Sequence, residues 1–293
     1  MNLRKIKNDY WTGIVTLMLV ITAGFLVLFI IRIVTMGASV LSWNFIIQPP
    51  YKAMTAGGIF PALVGTFLLT ILSMIIALPI GIFAAIWLTH YGKPARLVNF
   101  LHIVINTMAG IPSIIFGLFG MAIFVNLLGF KVSLLSGSLT LAILALPVII
   151  NNTEQAIHSV PADFSEASLA LGATTRQTIS KVVFPAALPN ILTGAIISVG
   201  RVAGETAPIM FTAATFYSRS LPHSLQDEVM ALPYHIYALM TEGTHPESQV
   251  PIAYGTALVL LILVILIDTI AIIIRSYMSK KREWEKDKFG IQI

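Results

Sequence analysis

Residues 164–208 read FSEASLALGATTRQTISKVVFPAALPNILTGAIISVGRVAGETAP. The first half is a polar connector lying between two apolar runs. The second half is an apolar helical pattern that carries two charges, Arg201 and Glu205, inside a hydrophobic stretch. Joining a polar surface element to a charged intramembrane element suits a machine that couples events at a membrane surface to passage through the bilayer.

Composition agrees with a membrane setting. Of 293 residues, 57% are hydrophobic and 11% charged, where soluble domains carry roughly 45–50% and 25%. The mean hydropathy is +0.88. No cysteine is present, which excludes disulfides, iron–sulfur clusters and thiolate zinc sites. The net charge of +5 reads as basic loops holding one membrane face rather than as a nucleic-acid surface.

A spanning helix needs about 20 mostly apolar residues. Six stretches qualify, at about 11–36, 62–89, 103–128, 134–152, 188–216 and 252–275. The first is too long for a signal-peptide core and has no convincing cleavage site after it, so it reads as an uncleaved span. Sheet is not expected, because open edges in lipid leave backbone groups unpaired. Thirteen of the eighteen Lys and Arg residues fall on one side, three (Lys52, Lys131, Arg219) on the other, and Arg32 and Arg201 within spans. The positive-inside rule then predicts cytoplasmic amino and carboxyl termini.

The expected organisation has three parts. Residues 1–60 form a cytoplasmic tail, a peripheral first helix anchored by Arg32 near its outer end, and an external segment with Pro49-Pro50 and Gly57-Gly58. Residues 61–275 form a five-helix core with a polar loop at about 153–187, and residues 276–293 a charged, solvated tail. In the second span Pro79 bends the axis. In the third, Ala109-Gly110-Ile111-Pro112-Ser113 interrupts the apolar pattern, either lining a pathway with freed backbone groups or making a packing kink. Ile150 ends the fourth span as the sequence turns polar.

Within the loop, Pro161 through Ala173 predicts a short helix, and Gly172 permits a turn. Thr174 or Thr175 caps a second helix, which Pro185 and Pro189 stop. Two such helices make either a rigid lever or an ordinary surface loop. In the fifth span, Arg201 lies thirteen residues from Leu188, about 20 Å along a helix. Glu205 follows one turn later on the same face. The pair either neutralises itself inside a bundle or presents a guanidinium to a cavity, where its planar fork suits phosphate-type oxyanions. Residues 223–241 predict an amphipathic helix on the outer surface, with Tyr234, His235 and Tyr237 facing an interface. Asp268 is read as wet or paired.

Catalytic signatures are missing. There is no G-x-x-x-x-G-K-[ST] and no G-x-S-x-G, and the six histidines show no metal-ligand spacing. Any energy source therefore belongs to another subunit or to an ion gradient.

Glu166-Ala167-Ser168, then Gly172, then Pro185 thirteen residues on, resembles the E-A-A-x3-G-x9-I-x-L-P loop of ABC-importer permeases. Ser168, Val182 and Phe184 depart from that pattern. Gly200 to Pro208 (GRVAGETAP), with Ala109–Ser113 and Ala231–Tyr237, is similar to the PstA-type permeases of the phosphate-specific transport family. The resemblance spans roughly residues 60–275. It implies an all-α, MetI-like core of five helices (type I importer) plus one extra amino-terminal helix, in a bacterial or archaeal plasma membrane. It further implies that Glu166, Ala167, Gly172 and Pro185 belong to the element docking on an ATPase. Arg201, Glu205, Thr206 and Ser113 are the expected pathway residues. The implied partners are a PstC-type permease, two PstB-type ATPases that hold ATP and Mg, and a PstS-type binding protein outside, with no cofactor or metal in this chain. Competing readings are a permease for molybdate or sulfate, and a gradient-driven carrier, for which related inverted halves are not visible.

Overall fold

In the computed structural model, residues 3–52 and 54–288 are described, with side chains from Tyr10 to Tyr277 except those of Ala53 and Ile274. The expected helical class is found. Among the described residues, the paired strands are a two-residue antiparallel pair, β1 (Pro50–Tyr51) with β2 (Ala56–Gly57). Within the described residues five helices are long and apolar enough to cross a bilayer, and a bent pair makes a sixth candidate.

Helix α1 (Leu3–Gly37) stands apart. Its apolar window is wholly unburied, and it packs on α12 (Pro246–Lys288). A short α2 (Trp43–Ile47), capped by Ser42 through the Phe45 N–H, leads into the core. There α3 (Phe60–Ile86) and α6 (Leu134–His158) make the largest helix–helix interface. Small and hydroxylated residues, Ala62, Thr66, Thr70, Ser73, Ala77, Gly81 and Ala85, run along the buried side of α3. Their three- and four-residue spacing makes one stripe, and their size lets backbones approach closely in lipid. The three threonine and serine hydroxyls donate to carbonyls of their own helix, so no donor is stranded.

Three spans differ from expectation. The third is two helices, α4 (Ala95–Gly110) and α5 (Ser113–Gly120, continued to Leu127 by a π-helical stretch), bent by 103°. Pro112 drives its predecessor out of the helical region, and Ile111 is extended at φ −72°, ψ 133°. The fourth runs eight residues past Ile150, to His158. Its polar residues find partners on α4: Asn151 donates to Asn106 at 3.3 Å, and Glu154 lies 3.6 Å from His102.

The fifth span starts earlier and stops sooner than 188–216. It runs as one path from Thr175 to Ala203, through α8 (Thr175–Thr178), a π-helical stretch (Ile179–Val183) and α9 (Phe184–Ala203). Pro185 and Pro189 do not stop it. Pro185 follows directly on the π stretch, whose register shift leaves room for a residue without an N–H. The halt comes at Gly204. Helix continuation would set the Pro208 ring against the carbonyl of residue 204, so the chain breaks and resumes as α10 (Ala207–Thr212).

The segment before α11 (Leu232–Thr241) is not helical as expected over 223–231. Instead it lies over the bundle end, where the carbonyls of Asp227 and Leu225 accept from the N–H groups of Leu134 and Leu135 and so cap α6. One apolar cluster ties these pieces together: Leu69 and Ala77 of α3, Leu141 and Ile149 of α6, Val202 of α9 and Ile209 of α10, with Val229 and Ala231 of the overlying segment. The backbone of α12 continues helically into the charged tail, whose side chains beyond Tyr277 and residues 289–293 lie outside the described residues.

Candidate translocation site and coupling loop

Arg201 occupies the last turn of α9, where the negative end of the helix dipole favours a cation. Glu205 is not its neighbour along a continuous helix, as the spacing predicted, but lies beyond the Gly204 cap. The two meet across the break, Nε to Oε1, at 3.6 Å. That is ion-pair range but longer than a hydrogen bond. Among the described residues the guanidinium makes no hydrogen bond, and 40% of the Arg201 side chain is exposed against 14% for Glu205. The pair is therefore oriented: carboxylate inward, guanidinium outward.

Glu205 borders a cavity of about 10 Å³, lined also by Thr66 and Thr70 of α3, Val202 of α9, and Ala231 and Pro233 at the start of α11. Such a volume holds about one water. The Leu232 N–H donates to the Thr66 hydroxyl at 2.8 Å and fixes α11 over this cavity. Reading the sequence alone missed Thr66 and Thr70. The signal available was their four-residue spacing, which puts both hydroxyls on one face of α3.

Thr206 is the half-buried cap position of α10, and its side chain caps nothing. Ser113 opens α5 and is half-buried. Its helix is pressed onto the break, since a Cβ at Gly117 would lie 2.9 Å from the Ala207 carbonyl oxygen and 3.0 Å from the Pro208 Cα. Two proline-made interruptions, 111–113 and 204–208, thus meet through α5 and α10. Among the described residues no hydrogen bond or ion pair joins Ser113 to Arg201 or Glu205.

At the other end, α7 (Ala162–Ala170) carries Glu166 and Ala167, both exposed. It ends in a turn in which the Gly172 N–H donates to Leu169 O and the Ala173 N–H to Ser168 O. This double closure requires a left-handed residue, and Gly172 supplies it at φ +84°. Thr174 caps α8 reciprocally with Gln177. Ser168, one of the departures from the family pattern, bonds its hydroxyl to that of buried Thr178 at 2.9 Å, locking α7 to α8. Leu169 and Leu171 project from the tip, the latter 89% exposed. Pro185, at the foot of the lever, is exposed in the first turn of α9.

Two other expectations change. His235 is buried, with neither ring nitrogen hydrogen-bonded among the described residues, and burial pushes its pKa down to about 4. Tyr237 is the exposed member of that group and stacks with Tyr234 at 6.2 Å. Burial, with smaller contributions from Glu242 and Tyr237, raises the Tyr234 pKa. Asp268 is neither wet nor ion-paired at Oδ1, which is buried and faces Gly200 of α9.

Comparison with known proteins gives concordant results. The model of the family described as "binding-protein-dependent transport system inner membrane component" matches residues 77–284. A probable ABC transporter permease of Bacillus subtilis, YqgI, is 34% identical over 95% of this chain and 98% of its own length. The phosphate transport system permease PstA of Mycobacterium leprae is 39% identical over 71% of this chain and 67% of its own. An inward-facing structure of the MetNI methionine ABC transporter superposes with TM-score 0.57 at 24% identity, over 75% of this chain and 94% of that one, a likeness of fold.

Proposed function

Because the chain belongs to the family of binding-protein-dependent transport inner membrane components, we propose that it is the permease subunit of an ATP-driven importer of inorganic phosphate, with Arg201 as the cation that receives the anion. The observation that carries this reading is the half-exposed Arg201 guanidinium at a helix break, paired loosely on one side and free of hydrogen bonds on the other. A charge kept in a membrane bundle marks a pathway by default. A planar fork with unused donors is suited to a tetrahedral oxyanion.

Glu205 holds the guanidinium in place until the anion displaces it, then takes it back as the anion leaves. Thr206 and Ser113 flank the passage on α10 and α5. The lever from Glu166 to Pro185 meets an ATPase subunit, with Leu169 and Leu171 entering its groove, and transmits closure of the ATPase pair to α9. The complete machine has a PstC-type permease beside this chain, two PstB-type ATPases holding ATP and Mg on the lever side, and a PstS-type phosphate-binding protein on the side of α11. The lysine and arginine distribution supports a cytoplasmic lever and cytoplasmic termini in a bacterial or archaeal plasma membrane.

The test is phosphate uptake into vesicles containing the full complex, native against Arg201→Gln, with ATPase activity and assembly followed in parallel. Uptake is expected to fall by about tenfold to hundredfold, the value of charge-assisted hydrogen bonds, while assembly and ATP turnover persist. Unchanged uptake would make Arg201 a packing charge. Sulfate or molybdate uptake in preference to phosphate would transfer the same geometry to another oxyanion.

A further inference from the structure

We propose that the groove between α6, α9 and α12 at the α7 end of the bundle is a second oxyanion site, in which Arg275 and neighbouring side-chain amides receive a phosphate group. The proposal deepens the reading of Arg201 as a phosphate-pathway residue and rests on it for the identity of the transported ion. The groove measures about 250 Å³, and its polar lining is Asn152 and Gln155 of α6, Ser159 at the carboxyl cap of α6, Asn190 and Thr193 of α9, and Arg275 of α12. No carboxylate lines it. Among the described residues Arg275 has no acidic group within ion-pair distance. Asp268, two turns earlier on α12, is directed at Gly200. An uncompensated guanidinium in a recess of amides and hydroxyls is a donor-rich, positively charged pocket.

Its shape is fixed by the fold. The Asn190 amide donates to the Ser159 hydroxyl at 2.9 Å, and that hydroxyl donates to Ala156 O at 2.7 Å. Gly194 brings α9 so close that a Cβ there would lie 2.5 Å from Asn152 Cβ. Thr193 donates back to Pro189 O. Among the described residues, the donors left open are Asn152, Gln155, Arg275 and the second amide hydrogen of Asn190.

The groove continues the first site. Asn190, Gly194, Ile197 and Arg201 recur at intervals of four, three and four residues and form one stripe along α9. Asn190 and Arg201 are eleven residues apart, about 16 Å along the axis. An ion leaving the break toward α7 thus follows a single helix face to a second guanidinium. The same chemistry suits the phosphate of an anionic lipid headgroup at the membrane interface, and the test separates the two sources.

The chain, assembled with its partner subunits, is placed in lipid nanodiscs in an Arg201→Gln background that silences the break. Inorganic phosphate is titrated and its ³¹P line width followed, first in phosphatidylcholine alone and then with phosphatidylglycerol added. Saturable broadening is expected in phosphatidylcholine. Arg275→Gln should weaken it by about tenfold or more, as loss of a charge-assisted contact implies, while Arg275→Lys retains most of it. Asn152→Leu, which keeps the charge, should weaken it by a smaller factor in a complex that elutes unchanged. If phosphatidylglycerol removes the broadening only when Arg275 is present, the groove is a phosphate site whose occupant is a headgroup. Broadening that is identical with Arg275 and with Gln, in both lipids, overturns the proposal. Absence of native phosphate uptake would count against the Arg201 reading and leave this binding measurement decisive for the groove.

Discussion

The turn at 171–174 and the break at 204–208 are both glycine-containing interruptions of helix, yet they are finished in opposite ways. At the turn a run of local bonds closes the chain. Gly172 and Ala173 close α7, Thr174 and Gln177 cap α8, and Ser168 ties one helix to the other. At the break α10 begins without a side-chain cap, and the ion pair stands at 3.6 Å with the guanidinium otherwise unbonded. Local completion makes a rigid element that moves as a body, whereas an incomplete site waits for something to complete it. A lever has to be the first, and a place where an anion stops briefly has to be the second.

If that contrast holds, substitutions at the turn act on assembly with the ATPase and those at the break on cargo. The largest effect at the turn is expected from Leu171→Glu. The side chain is almost fully exposed, so folding of the chain is not at stake, but an apolar tip becomes charged in a partner's groove. Desolvating an unpaired carboxylate there costs several kcal/mol. Co-purification of the ATPase and phosphate uptake should both be lost, whereas the permease itself is recovered in native amounts. Retained ATPase binding would show that the tip does not dock.

Acidification discriminates without mutation. The wall over the break includes α11, in which His235 is buried and neutral; the turn contains no histidine. A folded pKa of about 4 against 6.5 in an unfolded chain means that protons favour the unfolded form. The stability contribution is full above pH 6.5 and declines as pH falls toward 4. At pH 5 the loss is roughly 2 kcal/mol. Hydrogen-exchange protection, corrected for intrinsic rates, should fall across 232–241 between pH 7 and pH 5 and hold across 171–178. Equal loss in both regions would remove His235 as the cause.

What the sequence made legible follows from the forces that act locally. Span number, the Gly172 turn and the Thr174 cap come from apolar length and short-range backbone chemistry. Ile111-Pro112 showed as a break in the apolar pattern, but the size of its bend and the halt at Gly204 to Pro208 did not, because a hydropathy window is blind to direction. Arg201 and Glu205, four apart, therefore read as helical neighbours when Gly204 separates them. The α6 helix outran its apolar stretch because Asn106 and His102 of α4 satisfy its polar residues, and α4 is 45 positions distant at the Asn106–Asn151 bond. Pro185 failed to stop the lever because the register shift beside it is a property of the folded backbone. The groove at Arg275 was hidden for a related reason, since its lining is drawn from three helices far apart in the chain.

The smallest expected effect sharpens the comparison most, because it touches the completeness of the turn alone. Ser168→Ala restores the residue of the family pattern while removing the 2.9 Å bond to Thr178. Thr178 is buried, so its hydroxyl loses a cross-helix partner in a place where water is scarce. A neutral hydrogen bond of this kind is worth about 0.5–1.5 kcal/mol. Protection across 171–178 should therefore decrease by that amount. Uptake should change by less than about twofold, since Gly172 and the Thr174 cap still close the turn. Double substitution with Thr178→Val, which removes both partners, should recover part of the lost protection. If Ser168→Ala instead lowered uptake as strongly as a change at Arg201, the turn would be as unfinished as the break, and the division between rigid lever and open site would fail.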